Sequence, residues 1–390
     1  MTLYVGVMSG TSMDSVDAVL VNIDKASLAV VAQHTHDIPE SLHQRLSQAL
    51  LTQSLPALEA WRLDADLGQL FADSVNALLA DQQLHPDQIS AIGSHGQTLF
   101  HDPENDPALS VQIADPNIIA VRTGIVTVSD FRRMDVAAGG QGAPLAPAFH
   151  AFSFSHPQRV RGILNIGGIA NLTVLPAAPS PALSAPAVIG FDTGPGNTLL
   201  DLWTVEHQGR AYDESGRWAA SGTIIPDLLD DALADAYFSR PAPKSTGREY
   251  FNRNWLQQLL DRHPGLAPED VQRTLCELTA SSAAQALQPK PGSELFVCGG
   301  GALNETLMNA LRSQLPTWHI ADTEELGIPA KSVEGAAFAW LAHERLHGRS
   351  AVPSSITGAR QSVCLGAVYR PPVKAAGQLI RAVGLEDELD

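Results

Sequence analysis

The chain has 390 residues, 44% hydrophobic and 17% charged, with a formal net charge of −17 at pH 7. That length predicts two or three domains with sizeable cores. The acidic balance excludes a general binder of nucleic acid or anionic membrane, so an anionic ligand has to be held by local donors and a metal ion. Cys276, Cys298 and Cys364 are far apart and contain no CxxC pair, which argues against a disulfide framework or a zinc site. No signal-like segment opens the sequence, and no apolar run reaches the ~18 residues of a membrane span, so a soluble, cytoplasmic protein is expected.

Residues 3 to 7 read as a buried strand, and "DAVLVNID" (17–24) as a second. Within "MSGTSMDSVD" (8–17), Ser9 to Ser15 is then a hairpin turn, rich in hydroxyls and free backbone N–H groups. A phosphate fits such a turn; an ordinary polar turn is the competing reading. "GSHGQTLFHDP" (93–103) follows an apolar segment and offers His95, Gln97 and Thr98 for hydrogen bonding. His101 adds no metal-ligand spacing, and His95 fits a core histidine equally well. In "SDFRRMD", Arg132 and Arg133 are adjacent, so on an extended segment they point opposite ways. "DVAAGGQGAPLAPAF" (135–149) is rich in Gly, Ala and Pro and suits a crossing between domains.

"RGILNIGGIANLTVL" (161–175) repeats the design of the N-terminus: strand, small-residue turn at Gly167 and Gly168, strand. Two such hairpins suggest a duplicated domain. The Pro/Ala/Ser-rich "PAAPSPALSAPA" (176–187) reads as an exposed loop. Asp192 ends the strand "AVIGFD" and precedes "TGPGN" and a helix; a carboxylate there serves as a general base or merely ties the turn. Lys244 and Arg248 in "PKSTGREYF" read as a solvated loop. "ELFVCGGGALNETLMNAL" predicts a strand over 294–298, a turn at Gly299, Gly300 and Gly301, and a helix burying Leu307, Leu311 and Leu315. Glycines there let a flat ligand approach the backbone. No P-loop and no dinucleotide fingerprint is present. Glu334 opens a helix whose Val333, Ala337, Trp340 and Leu341 form an apolar stripe; an acid in a first helical turn is also favoured by the helix dipole.

Two glycine hairpins and a later glycine turn before a helix resemble the actin-like ATPase and sugar kinase superfamily. The resemblance implies an α/β fold of two duplicated actin-like (ribonuclease H-like) domains with a nucleotide and substrate cleft between them. The segments quoted above, with "GFDTGPGNTLLD" and "VEGAAFAWLA", stand in the order of the anhydro-N-acetylmuramic acid kinase family and resemble it from residue 3 to about residue 369. One departure is Ser15, where Gly is expected; a positive φ there would cost Ser on the order of 1 kcal/mol.

The resemblance implies ATP and Mg²⁺ as cofactors. ATP would contact Ser9, Gly10, Thr11, Ser12, Met13, Asp14, Ser15, Val16 and Asp17 of the first hairpin, Asn165, Gly167 and Gly168 of the second, and Gly299, Gly300 and Gly301. Asp14 would order the magnesium ion through water, whereas Asp17 also reads as a strand-edge residue. Asp192 would be the general base. His95, Gln97, Thr98, Asp130, Arg132, Arg133, Gly194, Asn197 and Glu334 would contact the sugar, one of the two arginines pairing with its lactyl carboxylate. Domain I is expected over 1–134 with 351–390 returning to it, and domain II over 135–350. A homodimer and a role in peptidoglycan recycling are also implied. Another sugar or acyl kinase, or an actin- or chaperone-like ATP switch, is the alternative.

Overall fold

The computed structural model describes residues 2–10, 13–24, 27–52, 55–103, 105–177, 188–287 and 292–372. Thr11 and Ser12 of the first hairpin, residues 178–187 of the Pro/Ala/Ser-rich stretch and residues 373–390 lie outside the described residues.

Twelve strands form two mixed sheets among the described residues. β1 (Thr2–Ser9) and β2 (Ser15–Ile23) pair antiparallel, from Thr2 opposite Ile23 to Ser9 opposite Val16, and β3 (Leu28–Asp37) extends the meander. β4 (Ile89–Asp102) runs parallel to β1, β5 (Leu109–Ile113) folds back on the outer part of β4, and β6 (Thr127–Ser129) lies parallel to β4. The second sheet repeats this plan. β7 (Arg161–Ile166), β8 (Ile169–Leu175) and β9 (Ile189–Pro195) form an antiparallel meander. β10 (Glu294–Cys298) runs parallel to β7, and β11 (His319–Asp322) parallel to β10. Finally β12 (Ala367–Tyr369) pairs antiparallel with β6, so the chain ends its described course in the first sheet. The expected α/β class with two duplicated, actin-like halves is what the strand order displays.

Alternation along the strands makes layers. In β1, Val5 and Val7 enter a core with Leu63, Phe71 and Val75 of the helix Ala57–Asp81, whereas Tyr4 and Met8 face the opposite side. In β10, Leu295 and Val297 join the core beneath the helices Thr198–Gln208, Pro268–Gln285 and Glu305–Gln314; Phe296 and Cys298 face the other way. The middle layer, between the sheets, is the helix Ala146–Phe154 packed on the helix Val333–Leu346, with Phe152 stacked on Trp340 at 5.4 Å.

The helix Val333–Leu346, expected with the second half, lies on the first sheet. A Cβ on Gly6 would fall 1.8 Å from the Gly335 carbonyl oxygen, and one on Gly93 2.0 Å from that of Phe338. Glycines in the sheet and in the helix thus let the two backbones touch, a contact that no local pattern encodes. Ser15 carries no strain: among the described residues of the first turn the positive φ falls on Met13, at 58°. Arg132 and Arg133 do not stand on an extended segment; they open the short helix Arg133–Ala137, with Arg132 at φ −99° and ψ −37°.

Candidate active site

In sheets of this kind ligands gather beyond the carboxyl ends of the parallel strands. Here those ends carry Ser9 after β1, His95 and Gln97 along β4, Asp130 to Arg133 after β6, Gly167 after β7 and Gly299 after β10.

In the first turn the Met13 N–H donates to the Gly10 carbonyl at 3.1 Å. Met13 and Val16 bury their side chains in the core, so each offers only backbone to a ligand. Asp14 is exposed, and its carbonyl anchors the chain by accepting from Ile38 N–H at 2.9 Å. Asp17 accepts from the Thr35 hydroxyl at 2.7 Å across β3, in keeping with the strand-edge reading.

The second turn is docked on the loop that follows β9. Gly168 O accepts from Gly196 N–H (2.9 Å) and Thr198 N–H (3.1 Å), and Gly167 O from Asn197 N–H (2.8 Å). The Asn197 side chain donates to Ile166 O at 3.1 Å. A Cβ on Gly196 would lie 2.4 Å from Gly167 O, so only glycine lets the two turns meet. Gly194, at φ 155°, makes the bend between Asp192 and this contact.

That docking seats Asp192 beside the second glycine turn. Its Oδ2 accepts from Thr246 N–H at 3.0 Å, and its backbone carbonyl accepts from the Tyr237 hydroxyl at 2.7 Å. Burial pushes the carboxyl up to about 6; the Thr246 N–H opposes this in part, and nearby Glu249 adds to it. A base with that affinity holds and releases a proton near neutral pH.

At the third turn Gly299, φ 77°, leaves room for Asn165: a Cβ there would lie 2.3 Å from Asn165 Oδ1. Gly300 is open, with Asn197 Nδ2 its nearest neighbour at 3.6 Å from a built Cβ, and a Cβ on Gly301 would strike Ile166. Asn304 then caps the helix Glu305–Gln314 by accepting from Leu307 N–H.

The segments from the first sheet meet the second through Asn165, whose Nδ2 donates to Glu334 Oε1 at 3.0 Å. Glu334 is open to solvent yet crowded by protein on its inner side, and the crowding raises its carboxyl above the ordinary range. Nearby Arg132 donates from Nε (3.1 Å) and Nη2 (2.9 Å) to His95 Nε2, and from Nη1 to Gly142 O (2.8 Å). His95 accepts, so its imidazole is neutral there. Burial and the adjacent guanidinium both push it well below its ordinary range. Burial also brings Arg132 down to about 10. No carboxylate is paired with Arg132 among the described residues. Arg133 differs: it makes two 2.7 Å contacts with Asp130, and its side chain is 66% exposed.

Buried polar atoms normally have partners, and exceptions call for an explanation. Six of the ten exceptions among the described residues are Ser9 Oγ, Ser94 Oγ, His95 Nδ1, Gln97 Oε1, Thr198 Oγ1 and Thr246 Oγ1, all in these segments. Their concentration in these segments is what makes them the candidate ligand site. Thr98, by contrast, has its hydroxyl engaged by Gln112 Nε2 at 3.3 Å.

Sequence reading missed Ser94, Thr198, Thr246 and Asp201. Asp201 sits in the first turn of the helix Thr198–Gln208, where an acid is unremarkable, but burial raises it to about 7 and the charge of Asp14 acts on it from the first turn. Among the described residues no group of three or more His, Cys, Asp and Glu is arranged to hold a metal ion, and no helix is long and apolar enough to cross a membrane.

Two solved structures resemble the chain at a distance. The activator of the 2-hydroxyisocaproyl-CoA dehydratase from Clostridium difficile with bound ADPNP is 12% identical, with TM-score 0.43, covering 89% of this chain and 96% of that one. The ROK family glucokinase from Streptomyces griseus in complex with glucose and AMPPNP is 12% identical, with TM-score 0.41, covering 88% and 99%. In sequence, an anhydro-N-acetylmuramic acid kinase of Pasteurella multocida (strain Pm70) is 46% identical over 370 residues, 94% of this chain and 96% of its own. The profile of the anhydro-N-acetylmuramic acid kinase family matches residues 2–371, and the chain belongs to that family.

Proposed function

We infer that the protein is an ATP-dependent kinase that opens 1,6-anhydro-N-acetylmuramic acid with water and phosphorylates O6, giving N-acetylmuramic acid 6-phosphate and ADP. The observation that carries this reading is Asp192, a carboxyl pushed up to about 6 on the strand that docks the second glycine turn, held by Thr246 N–H, whose own hydroxyl has no protein partner.

In the 1,6-anhydro sugar O6 is a bridging acetal oxygen with no proton to give. It becomes a nucleophile only as its bond to C1 breaks. Asp192 takes a proton from the water attacking C1; the water oxygen bonds to C1, the C1–O6 bond breaks, and O6 bonds to the γ-phosphorus as the bridge to ADP breaks. Backbone N–H groups of the two glycine turns orient the outer phosphates, with Ser9 Oγ free to join them. Mg²⁺ keeps most of its waters, so the open carboxylate of Asp14, whose charge acts on Asp201, suits an ion that neutralises phosphate charge. Gly300 leaves a flat space for the adenine.

Arg132 is the arginine assigned to the lactyl carboxylate. It is pinned by a neutral histidine and a carbonyl and lacks an acid, whereas Arg133 is satisfied by Asp130. Glu334 and Gln97 contact sugar hydroxyls or the amide. The first half, 1–134 with the helix Val333–Leu346 and β12, then supplies most of the sugar site. The second half supplies the base and the adenosine turn, with a cleft between the two. A cytoplasmic homodimer acting in peptidoglycan recycling completes the reading.

ADP release with Mg-ATP and a panel of anhydro and free amino sugars, products identified by mass, tests it. Turnover restricted to the anhydro sugar is expected. Equal phosphorylation of free N-acetylmuramic acid refutes the substrate, and sugar-independent ATP turnover points to a switch protein.

A further inference from the structure

Arg248 has no part in the roles above. Its loop runs beside β9: the Lys244 carbonyl accepts from Asp192 N–H at 2.9 Å, and Thr246 N–H holds the Asp192 carboxylate. Two residues later the chain delivers a guanidinium onto the second glycine turn. A Cβ built on Gly168 would stand 2.9 Å from Arg248 Nη2, 3.0 Å from its Nε and 2.8 Å from Thr198 Oγ1. Thr198 Oγ1 is one of the buried atoms without a partner. Arg248 itself is exposed and forms no hydrogen bond or ion pair with any described residue; Asp201 acts on it only through space.

A free cation is an unusual thing to find lying across a phosphate turn in a chain of net charge −17. Salt-bridged acids satisfy many of its other arginines, such as Arg133, Arg161 and Arg253. A guanidinium fork matches phosphate oxygens, and an arginine set on a transferring phosphoryl group stabilises charge that builds only during transfer.

We propose that Arg248 is a further catalytic residue, contacting the phosphoryl group in transit over the Gly167–Gly168 turn with the Thr198 hydroxyl beside it. One loop then carries both functions: Thr246 fixes the base that activates water, and Arg248 receives the charge on the departing phosphoryl group. This rests on the reading of that turn as a phosphate site.

The test compares the parent with Arg248→Ala and Arg248→Lys under Mg-ATP and saturating anhydro sugar. For Arg248→Ala, kcat should fall about 10²–10⁴-fold, while ATP affinity by calorimetry and KM for the sugar stay within about threefold. Added guanidinium should restore part of the rate, and Arg248→Lys should lie between the two. The melting temperature should not move, because the side chain holds nothing in the fold. A kcat within threefold of the parent overturns the proposal. So does a loss confined to KM that vanishes with an anhydro sugar lacking the carboxylate, which would make Arg248 the reader of that acid. Amide exchange in the parent separates the two levels: a non-hydrolysable ATP analogue that leaves residues 161–175 unprotected refutes the phosphate site itself, and the proposal with it. Protection there combined with an active Arg248→Ala refutes only the arginine.

Discussion

Asp192 sets both a pH dependence and a stability cost. As the proposed base it must be deprotonated, so kcat/KM should fall on the acid side with an apparent pKa near 6. Its folded-state value is raised above the unfolded one, so between the two the folded protein binds more protons, and stability declines as pH rises through that window. Asp192→Asn keeps an acceptor for Thr246 N–H but never ionises. It should lose about 10²–10⁴ in kcat while melting at a higher temperature than the parent above pH 7. Steady-state kinetics and scanning calorimetry on the same preparations check both halves of this prediction.

The two arginines should separate cleanly. Arg132→Ala is expected to raise KM for the anhydro sugar about ten- to a hundredfold, the size of a lost charge-assisted pair, and Arg133→Ala to change it little. Initial-rate measurements across substrate concentration decide this; equal effects would put the carboxylate elsewhere. Which arginine to assign to the acid was not legible in the sequence. The proposed assignment rests on His95, far back in the chain on β4, holding Arg132, and on Asp130 taking the other guanidinium for itself. Asp201 was hidden for a different reason: an acid in a first helical turn has an ordinary explanation, and only burial and the charge of Asp14 single it out.

At the scale of elements, the hairpins and the late glycine turn were legible because each is local. Apolar residues at period two flank small residues, and β1, β2, β7, β8 and β10 lie where that pattern puts them. The seat of the helix Val333–Leu346 was not legible. Its stripe announces a buried helix, but its partner is chosen by glycines at 6, 93 and 335 that only the fold brings together. Gly6→Ala should therefore force that helix off β1 and cost about 1–3 kcal/mol or more, read as a lower melting temperature. Gly300→Val provides the contrast: a Cβ there meets only Asn197 at 3.6 Å, so the fold should hold while ATP affinity drops. Calorimetric titration with unchanged affinity would remove that turn from the adenine site.

The whole molecule is one plan used twice, an antiparallel meander with parallel strands added beside its first strand. Duplication puts a glycine-containing turn after the first strand of each half, and the helices Ala146–Phe154 and Val333–Leu346 fill the layer between the sheets. Asn165 and Glu334 join the halves across that layer by a single hydrogen bond. The sequence repeat is one of type rather than of letters, so it signalled the duplication but not which face each half presents. On the proposed reading the chemistry is divided between the halves in the same way: sugar-reading groups chiefly on one, base and nucleotide turn on the other. On that reading hydrolysis at C1 and transfer to O6 happen in one event under one base. A single turnover in water enriched with heavy oxygen tests this most directly, with the product examined by mass and by the isotope shift of its C1 and phosphorus signals. The label should appear at C1 of the sugar phosphate and nowhere in the phosphate; label in the phosphate, or none at C1, would contradict the account.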